Sequence, residues 1–349
     1  MWKLLIRPIL FLFPPETAHS ITFGFLKFIC IIPGVPLLIK KLFANTTPDR
    51  ILLCGLEFKN RLGLAAGLDK NGYYIYELSL FGFSHIEIGT VTPKPQAGNK
   101  RPRLFRLPMD SALINRMGFN NDGADAIAIR LSKLVKPTDL ILGINIGKNK
   151  DTPLDKAWED YLYCFEKLYA YADYFTINVS SPNTPGLRGL QEKEPLLGLI
   201  IRLHEANAKK PLPKPVFLKI APDLNTEELK EIKNLAIEHN VDAIIMGNTT
   251  ITRDALSTES GKLSMIGQGG LSGQPLTQKS TEKLDILKNA EGEIPLIGVG
   301  GIMNGRDAKL RILHGADLIQ IYTGFVYHGP ALIKQILNDI RGISFKPKN

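Results

Sequence analysis

Cysteine is scarce in this chain. Three occur in 349 residues, Cys30, Cys54 and Cys164. They stand too far apart for a metal knuckle or a redox pair, and an odd number argues against a disulfide framework. A reducing compartment follows. A run of about 18 uninterrupted apolar residues, the minimum for a membrane span, is also missing. Arg7, Pro14-Pro15, Glu16, His19 and Lys27 break every candidate. No small-residue cleavage site follows a clean apolar core, which argues against a secretory signal. Basic residues are scattered rather than blocked, and no nucleic-acid motif with interleaved aromatics occurs. The net charge of +9 therefore points away from nucleic acid, toward anionic lipid or small anionic ligands.

What the chain does have is a hydrophobic content of 44% against 22% charged residues, enough for a large core. Residues 1–43 differ from the rest: Lys3, Arg7, Lys27, Lys40 and Lys41 face the single acid Glu16 in an otherwise apolar stretch. Trp2, Leu5, Ile6, Ile9 and Phe13 share one helical face, Pro14-Pro15 stops the pattern, and Ile21, Phe25, Phe28 and Ile32 begin a second stripe. Two short helices are expected. Their apolar faces either lie in a membrane interface or dock on the main body. The division this predicts is a helical segment over 1–45 and one large domain over 46–349.

From about residue 50, short apolar runs alternate with amphipathic windows. The runs are 63–67, 85–89, 140–146, 174–179, 216–220, 241–246, 295–299 and 318–322, and the windows 124–135, 154–171, 192–208, 226–239, 277–287, 304–314 and 330–340. Continuous apolar runs separated by helices imply parallel strands buried on both faces. Eight such units fit a (β/α)8 TIM barrel better than a doubly wound sheet. The latter should carry G-x-G-x-x-G after its first strand, where this chain has Ala65-Ala66-Gly67-Leu68-Asp69-Lys70. Residues 56–62, with a turn at Lys59-Asn60-Arg61, read as a hairpin before the first strand. Residues 92–119 are too long for an ordinary loop and therefore read as functional.

Barrel active sites lie at the C-terminal ends of the strands. Here those ends carry Asp69-Lys70, Thr90, Asn145, Asn178 with Ser181 and Asn183, Lys219, Asn248-Thr249, Gly300-Gly301 and Tyr322-Thr323. A single rim lysine would be unremarkable in water. A full ring of polar ends, several of them amides, needs partners, and a ligand dense in donors and acceptors supplies them. Glycines after the seventh run and Tyr322-Thr323-Gly324 after the eighth offer backbone N–H groups to a phosphate. A phosphate anchor beside an amide ring suits FMN, with Lys219 at the flavin's N1–C2=O edge, where a positive charge steadies the reduced ring. A flavin-free phosphosugar isomerase or lyase, using Lys70 or Lys219 on a Schiff base or a phosphate, is the rival at this point. A non-catalytic membrane module would not need polar groups at every strand end.

Several stretches then carry a resemblance. They include Leu64-Ala65-Ala66-Gly67-Leu68-Asp69-Lys70, Ile86-Glu87-Ile88-Gly89-Thr90-Val91-Thr92-Pro93-Lys94-Pro95-Gln96, Ile114-Asn115-Arg116-Met117-Gly118-Phe119-Asn120, Asn145-Ile146-Gly147-Lys148-Asn149-Lys150, residues 178–188 and Lys219-Ile220-Ala221-Pro222-Asp223-Leu224. Over nearly its whole length the chain resembles class 2, quinone-dependent dihydroorotate dehydrogenases. The resemblance implies oxidation of dihydroorotate to orotate, with Ser181 as the catalytic base where class 1 relatives carry cysteine. It implies FMN contacts from Ala66, Gly67, Leu68, Asp69, Lys70, Thr90, Asn145, Asn178, Lys219, Gly247, Gly273, Gly301, Tyr322 and Thr323. Substrate would be held by Lys70, Asn115, Arg116, Met117, Gly118, Phe119, Asn178, Asn183, Asn248 and Thr249. Gly247 departs from the family, which usually has threonine there. Pro15-Glu16-Thr17-Ala18-His19 looks like the family's helical segment through which a membrane quinone enters, with His19 and Arg106 on that tunnel. A peripheral protein on the cytoplasmic face of a bacterial inner membrane is the implied location. The nearest rival is a soluble FMN barrel using fumarate or NAD. A hydroxyl is a poor base unless its own proton can leave, so a relay from Ser181 is expected, with Thr184 as a candidate.

Overall fold

In the computed structural model, which describes residues 2–44 and 49–343, eight parallel strands close into a barrel. They are β1 Leu62–Leu64, β2 His85–Val91, β3 Ile141–Ile146, β4 Tyr174–Asn178, β5 Val216–Ile220, β6 Ala243–Met246, β7 Leu296–Val299 and β8 Leu318–Ile321. Each pairs with its neighbour in sequence, and β8 closes on β1 through Ile319↔Leu62 and Ile321↔Leu64. Helices cover the outside: for example Ala157–Leu168 follows β3 and Thr226–Glu238 follows β5. The latter starts with a capping box in which Asn225 and Glu228 satisfy each other's backbone N–H groups. Leucine, isoleucine and valine from strands and helices fill the shell between them.

Residues 92–119 form structure of their own. Ala112–Asn115 pairs on one side with Leu104–Leu107 and on the other with Gly270–Gly273, from the connection after β6, as a three-stranded antiparallel sheet. This sheet carries Asn115 and Gly273 to the mouth of the barrel.

Two local expectations change. The hairpin joins Ile51–Leu53 to Leu56–Phe58 rather than running over 56–62. Its turn is Cys54-Gly55, where both residues have positive φ (49° and 73°), the twist that a two-residue hairpin loop requires. Before the barrel there are three helical pieces, not two. A short helical stretch, Trp2–Ile6 running into Arg7–Phe11, precedes α1, Pro15–Cys30, and α2, Val35–Phe43. Pro15 sits at the start of α1, where its missing N–H costs nothing, and Gly34 turns left-handed (φ 86°) to let α2 begin. The expected boundary at 45/46 falls outside the described residues.

Phe23, Leu26 and Ile39 pack into the barrel's main core, while the opposite face stays bare: Leu12 is 84% exposed, Ile31 76% and Leu37 74%. Among the described residues no single helix is long and apolar enough to cross a bilayer; α1 and α2 meet that test only as a pair, bent by 117°.

Candidate active site

At the C-terminal ends of the strands lies a cavity of about 990 Å³, open solvent at its entrance included. Its wall begins at β1, where the chain turns through Ala66 and Gly67 to Lys70. Lys70 Nζ donates to Gly118 O (3.1 Å) and Asn120 Oδ1 (2.5 Å). Burial, and after it the Arg103 guanidinium, pull this ammonium down to about 7, against an upward pull from Glu16. Asp69 turns away from the cavity, its carboxylate accepting the N–H groups of Tyr73 and Tyr74 at 2.9 and 2.7 Å. Leu68 lines a different cavity, described below.

β2 shifts register against β3 between Ile88 and Val91. Such irregularities beside active sites re-aim side chains, and the one re-aimed here is Thr90, which lines the cavity. Thr90 Oγ1 donates to Asn145 Oδ1 (2.5 Å), and Asn178 Nδ2 donates to the same oxygen at 3.0 Å. Asn145 is fully buried beneath the floor; it holds Thr90 and Asn178 rather than facing the cavity.

The chain leaves β4 through Asn178 into the loop that carries Ser181 and Asn183. Ser181, 8% exposed, lines the cavity, and its Oγ accepts the Asn183 backbone N–H at 3.3 Å. No hydrogen bond joins it to Thr184. Asn183 Nδ2 donates to Asn115 Oδ1 (2.9 Å), tying this loop to the three-stranded sheet. Arg188 clamps it from behind: Nε donates to Ser180 O (3.0 Å), Nη2 to Thr249 O (3.1 Å), and Nη1 pairs with Asp223 at 3.0 Å.

Lys219, Asn248, Thr249, Gly273, Gly301, Tyr322 and Thr323 complete the ring, with Met117, Gly118 and Phe119 across the entrance. Arg116 is not among them. Its guanidinium donates to Ile266 O and Pro102 O and stacks on Phe105 at 4.8 Å. Gly247 contributes no wall either: at φ 119°, a Cβ there would stand 2.3 Å from Val299 O. Threonine, the family's usual residue, does not fit this backbone without a shift. Ser272 and Gln320 line the cavity without having been singled out in the sequence, and Gly300, expected at the end of the seventh strand, lines it too. Gln320 lies within an apolar run, where alternation would have shown it facing the barrel interior.

The walls suit a flavin mononucleotide. A Cβ on Gly301 would lie 2.4 Å from Thr277 N, so only glycine lets these two backbone segments approach so closely beside the cavity, the kind of turn that offers N–H groups to a phosphate. Thr249 Oγ1 and Gln320 Oε1 are buried without any hydrogen-bond partner in the protein. A ring system bearing carbonyl and N–H groups answers both.

A second cavity, of about 670 Å³, lies between the N-terminal helices and the barrel. Its lining is mostly apolar, including Phe11, Ala18, Phe23, Leu68 and Val326. His19 and Arg106 both line it. His19 Nε2 is hydrogen-bonded to Leu68 O at 2.7 Å, and burial lowers its pKa. Arg106 donates to Phe13 O (2.7 Å) and lies over the Phe11 ring at 4.4 Å. Tyr322 lines both cavities.

Comparison with known proteins follows the same lines. A family model described as dihydroorotate dehydrogenase matches residues 50–343. The chain is 51% identical over 339 residues to a dihydroorotate dehydrogenase (quinone) of Christiangramia forsetii, covering 96% of this chain and 97% of that protein. To the protein of the same name from Coxiella burnetii it is 48% identical, with 95% and 94% covered. The structure superposes on the dihydroorotate dehydrogenase of Eimeria tenella, solved with ferulenol, with a TM-score of 0.82 at 35% identity, over 93% of this chain and 90% of that one.

Proposed function

The chain belongs to the dihydroorotate dehydrogenase family, and on that premise we propose which of its residues carry out each part of the reaction. It oxidises dihydroorotate to orotate in pyrimidine biosynthesis and delivers the electrons, by way of a flavin, to a quinone. With the family, the flavin-free isomerase and the fumarate- or NAD-linked rivals fall away. The observation that carries our assignment is the pair of cavities meeting at Tyr322, one walled by amides and glycines, the other by apolar side chains.

The flavin would be FMN, with Gly273, Gly301 and Thr323 placed to hold its phosphate and Ala66, Gly67, Thr90, Asn178 and Lys219 placed to hold its ring. When bound, it supplies the two-electron acceptor. Ser181 Oγ takes the proton from C5 of dihydroorotate, which the neighbouring carbonyl acidifies. Its own proton must leave as the new one arrives, and with no bond to Thr184 a water in the cavity is the outlet. Lys70 offsets the substrate carboxylate, and Asn115, Asn178, Asn183 and Asn248 fix the substrate ring. Such prior positioning lowers the barrier by several kcal/mol.

The quinone enters through the apolar cavity past His19 and Arg106. The exposed outer faces of the N-terminal helices, with Lys27, Lys40 and Lys41 near them, are the membrane contact. Three free cysteines support the cytoplasmic face of a bacterial inner membrane, a reducing side. Anaerobic mixing of the purified protein with dihydroorotate tests the reading. The flavin absorbance bleaches and orotate appears in equal amount; a flavin that stays yellow overturns it.

A further inference from the structure

One charge near the cavity takes no part in the chemistry above. Glu87 points from β2 into the barrel and is 0% exposed. Both carboxylate oxygens are engaged. Oε1 accepts from Asn145 Nδ2 at 2.8 Å and faces Lys219 Nζ at 3.6 Å. Oε2 accepts from Gln320 Nε2 (3.0 Å), Tyr174 OH (3.2 Å) and Thr176 Oγ1 (3.2 Å). Burial opposes its charge, yet Lys219 and these donors hold the carboxyl below its ordinary value. His85, also inside the barrel, is pulled down to about 4 by burial and is neutral at pH 7. The cation that balances Glu87 is therefore Lys219. A buried ion pair is weak as a source of stability, because well-packed apolar residues do as well. Filling the barrel does not explain it.

A carboxylate only accepts hydrogen bonds, and that fixes every orientation above it. With Nδ2 committed to Glu87, Asn145 turns Oδ1 outward to receive Thr90 Oγ1 and Asn178 Nδ2. Asn178 Oδ1 then receives Ser180 N–H at 3.2 Å and Ser180 Oγ at 3.0 Å. Ser180 Oγ in turn receives Asn248 Nδ2 at 2.8 Å. Each donor in the row points back toward Glu87, across the ends of β2, β3, β4 and β6.

We propose that Glu87 is a positioning residue for the redox site: its charge offsets Lys219, its acceptor-only carboxylate sets the polarity of the amide row, and together they set the reduction potential of the flavin. This rests on the flavin reading of the cavity. The sign is fixed by electrostatics. Removing the negative charge leaves Lys219 uncompensated, so the electron-rich reduced ring gains stability and the potential rises.

The test is Glu87→Gln, which keeps the side chain's shape, with the midpoint potential measured against a reference dye under anaerobic conditions. At a fixed potential the ratio of reduced to oxidised flavin rises by at least about tenfold, ~30 mV for a two-electron couple. Glu87→Asp moves the potential in the same direction by less, and decides the matter should Glu87→Gln not accumulate. A merely structural role lowers the melting temperature and flavin retention while the potential stays put; that result, or a negative shift, overturns the proposal. A wild-type protein without flavin absorbance would instead sink the reading of the cavity itself.

Discussion

The barrel mouth and the space beneath the N-terminal helices adjoin, yet they are made of opposite materials. At the mouth, side-chain amides and hydroxyls are buried and bonded in fixed directions, as in the row from Asn145 to Asn248. Under the helices the lining is mostly aromatic and aliphatic, and its polar members Arg7, His19, Thr22 and Arg106 are all bonded to backbone carbonyls. The first is built to orient a small, charged, hydrogen-bonding molecule, and the second to admit a greasy one and ask little of its orientation. The two are fastened together by Glu16 of α1, whose carboxylate pairs with Arg103 Nη2 at 2.9 Å and Nε at 3.1 Å. Arg103 in turn donates to Ala97 O and Asn99 O in the segment that covers the mouth.

If the two regions divide the labour, each can be disabled alone. Deleting residues 1–43 removes one side of the apolar cavity, and quinone-dependent reoxidation is lost while dihydroorotate still reduces the flavin. Stopped-flow measurement of each half-reaction shows this, and surviving quinone turnover would erase the distinction. Ser181→Ala is the mirror experiment: FMN and orotate stay bound, reoxidation by quinone is unchanged, and flavin reduction slows at least about 100-fold, the scale of a lost acid–base group. A near-normal reductive rate in that variant removes Ser181 from the chemistry. The third effect is smaller and confined to the mouth. Lys70, pulled down to about 7, is charged below that pH and neutral above it. The dissociation constant of orotate, followed by its perturbation of the flavin spectrum, therefore rises about tenfold per pH unit above 7, until the raised pKa of Lys70 in the complex is reached. Quinone affinity does not follow. A flat orotate profile, or one that Lys70→Met leaves intact, assigns the carboxylate to another partner.

The sequence reveals these two regions unequally. All eight barrel strands are legible because strands buried on both faces read as apolar runs, and the residues read at their ends fall at the mouth, with Asp69 and Asn145 turned away from it. Arg116 illustrates the limit: adjacent to Asn115 in sequence, it points the other way along an extended strand and ends on the backbone at 266–268. Gly270–Gly273 pairs with Ala112–Asn115 across more than 150 positions, and spacing carries no information about so distant a partner. Glu87, between Ile86 and Ile88, looks like the polar face of an ordinary strand. Only closure of the barrel turns that face inward. The helical region was legible in composition but not in its divisions, since Pro36 and Gly34 obscured a third helix that the structure starts at Val35.

Among the described residues Tyr322 alone lines both cavities. A molecule lodged under the helices leaves every polar group of the mouth unoccupied, so occupancy of one chamber does not exclude the other. With the two cavities assigned as proposed, substrate recognition and acceptor choice fall under separate selection. On the roles proposed above, the helices can drift to suit a different acceptor or escape a blocking compound, while the ring of residues assigned to the pyrimidine stays as it is.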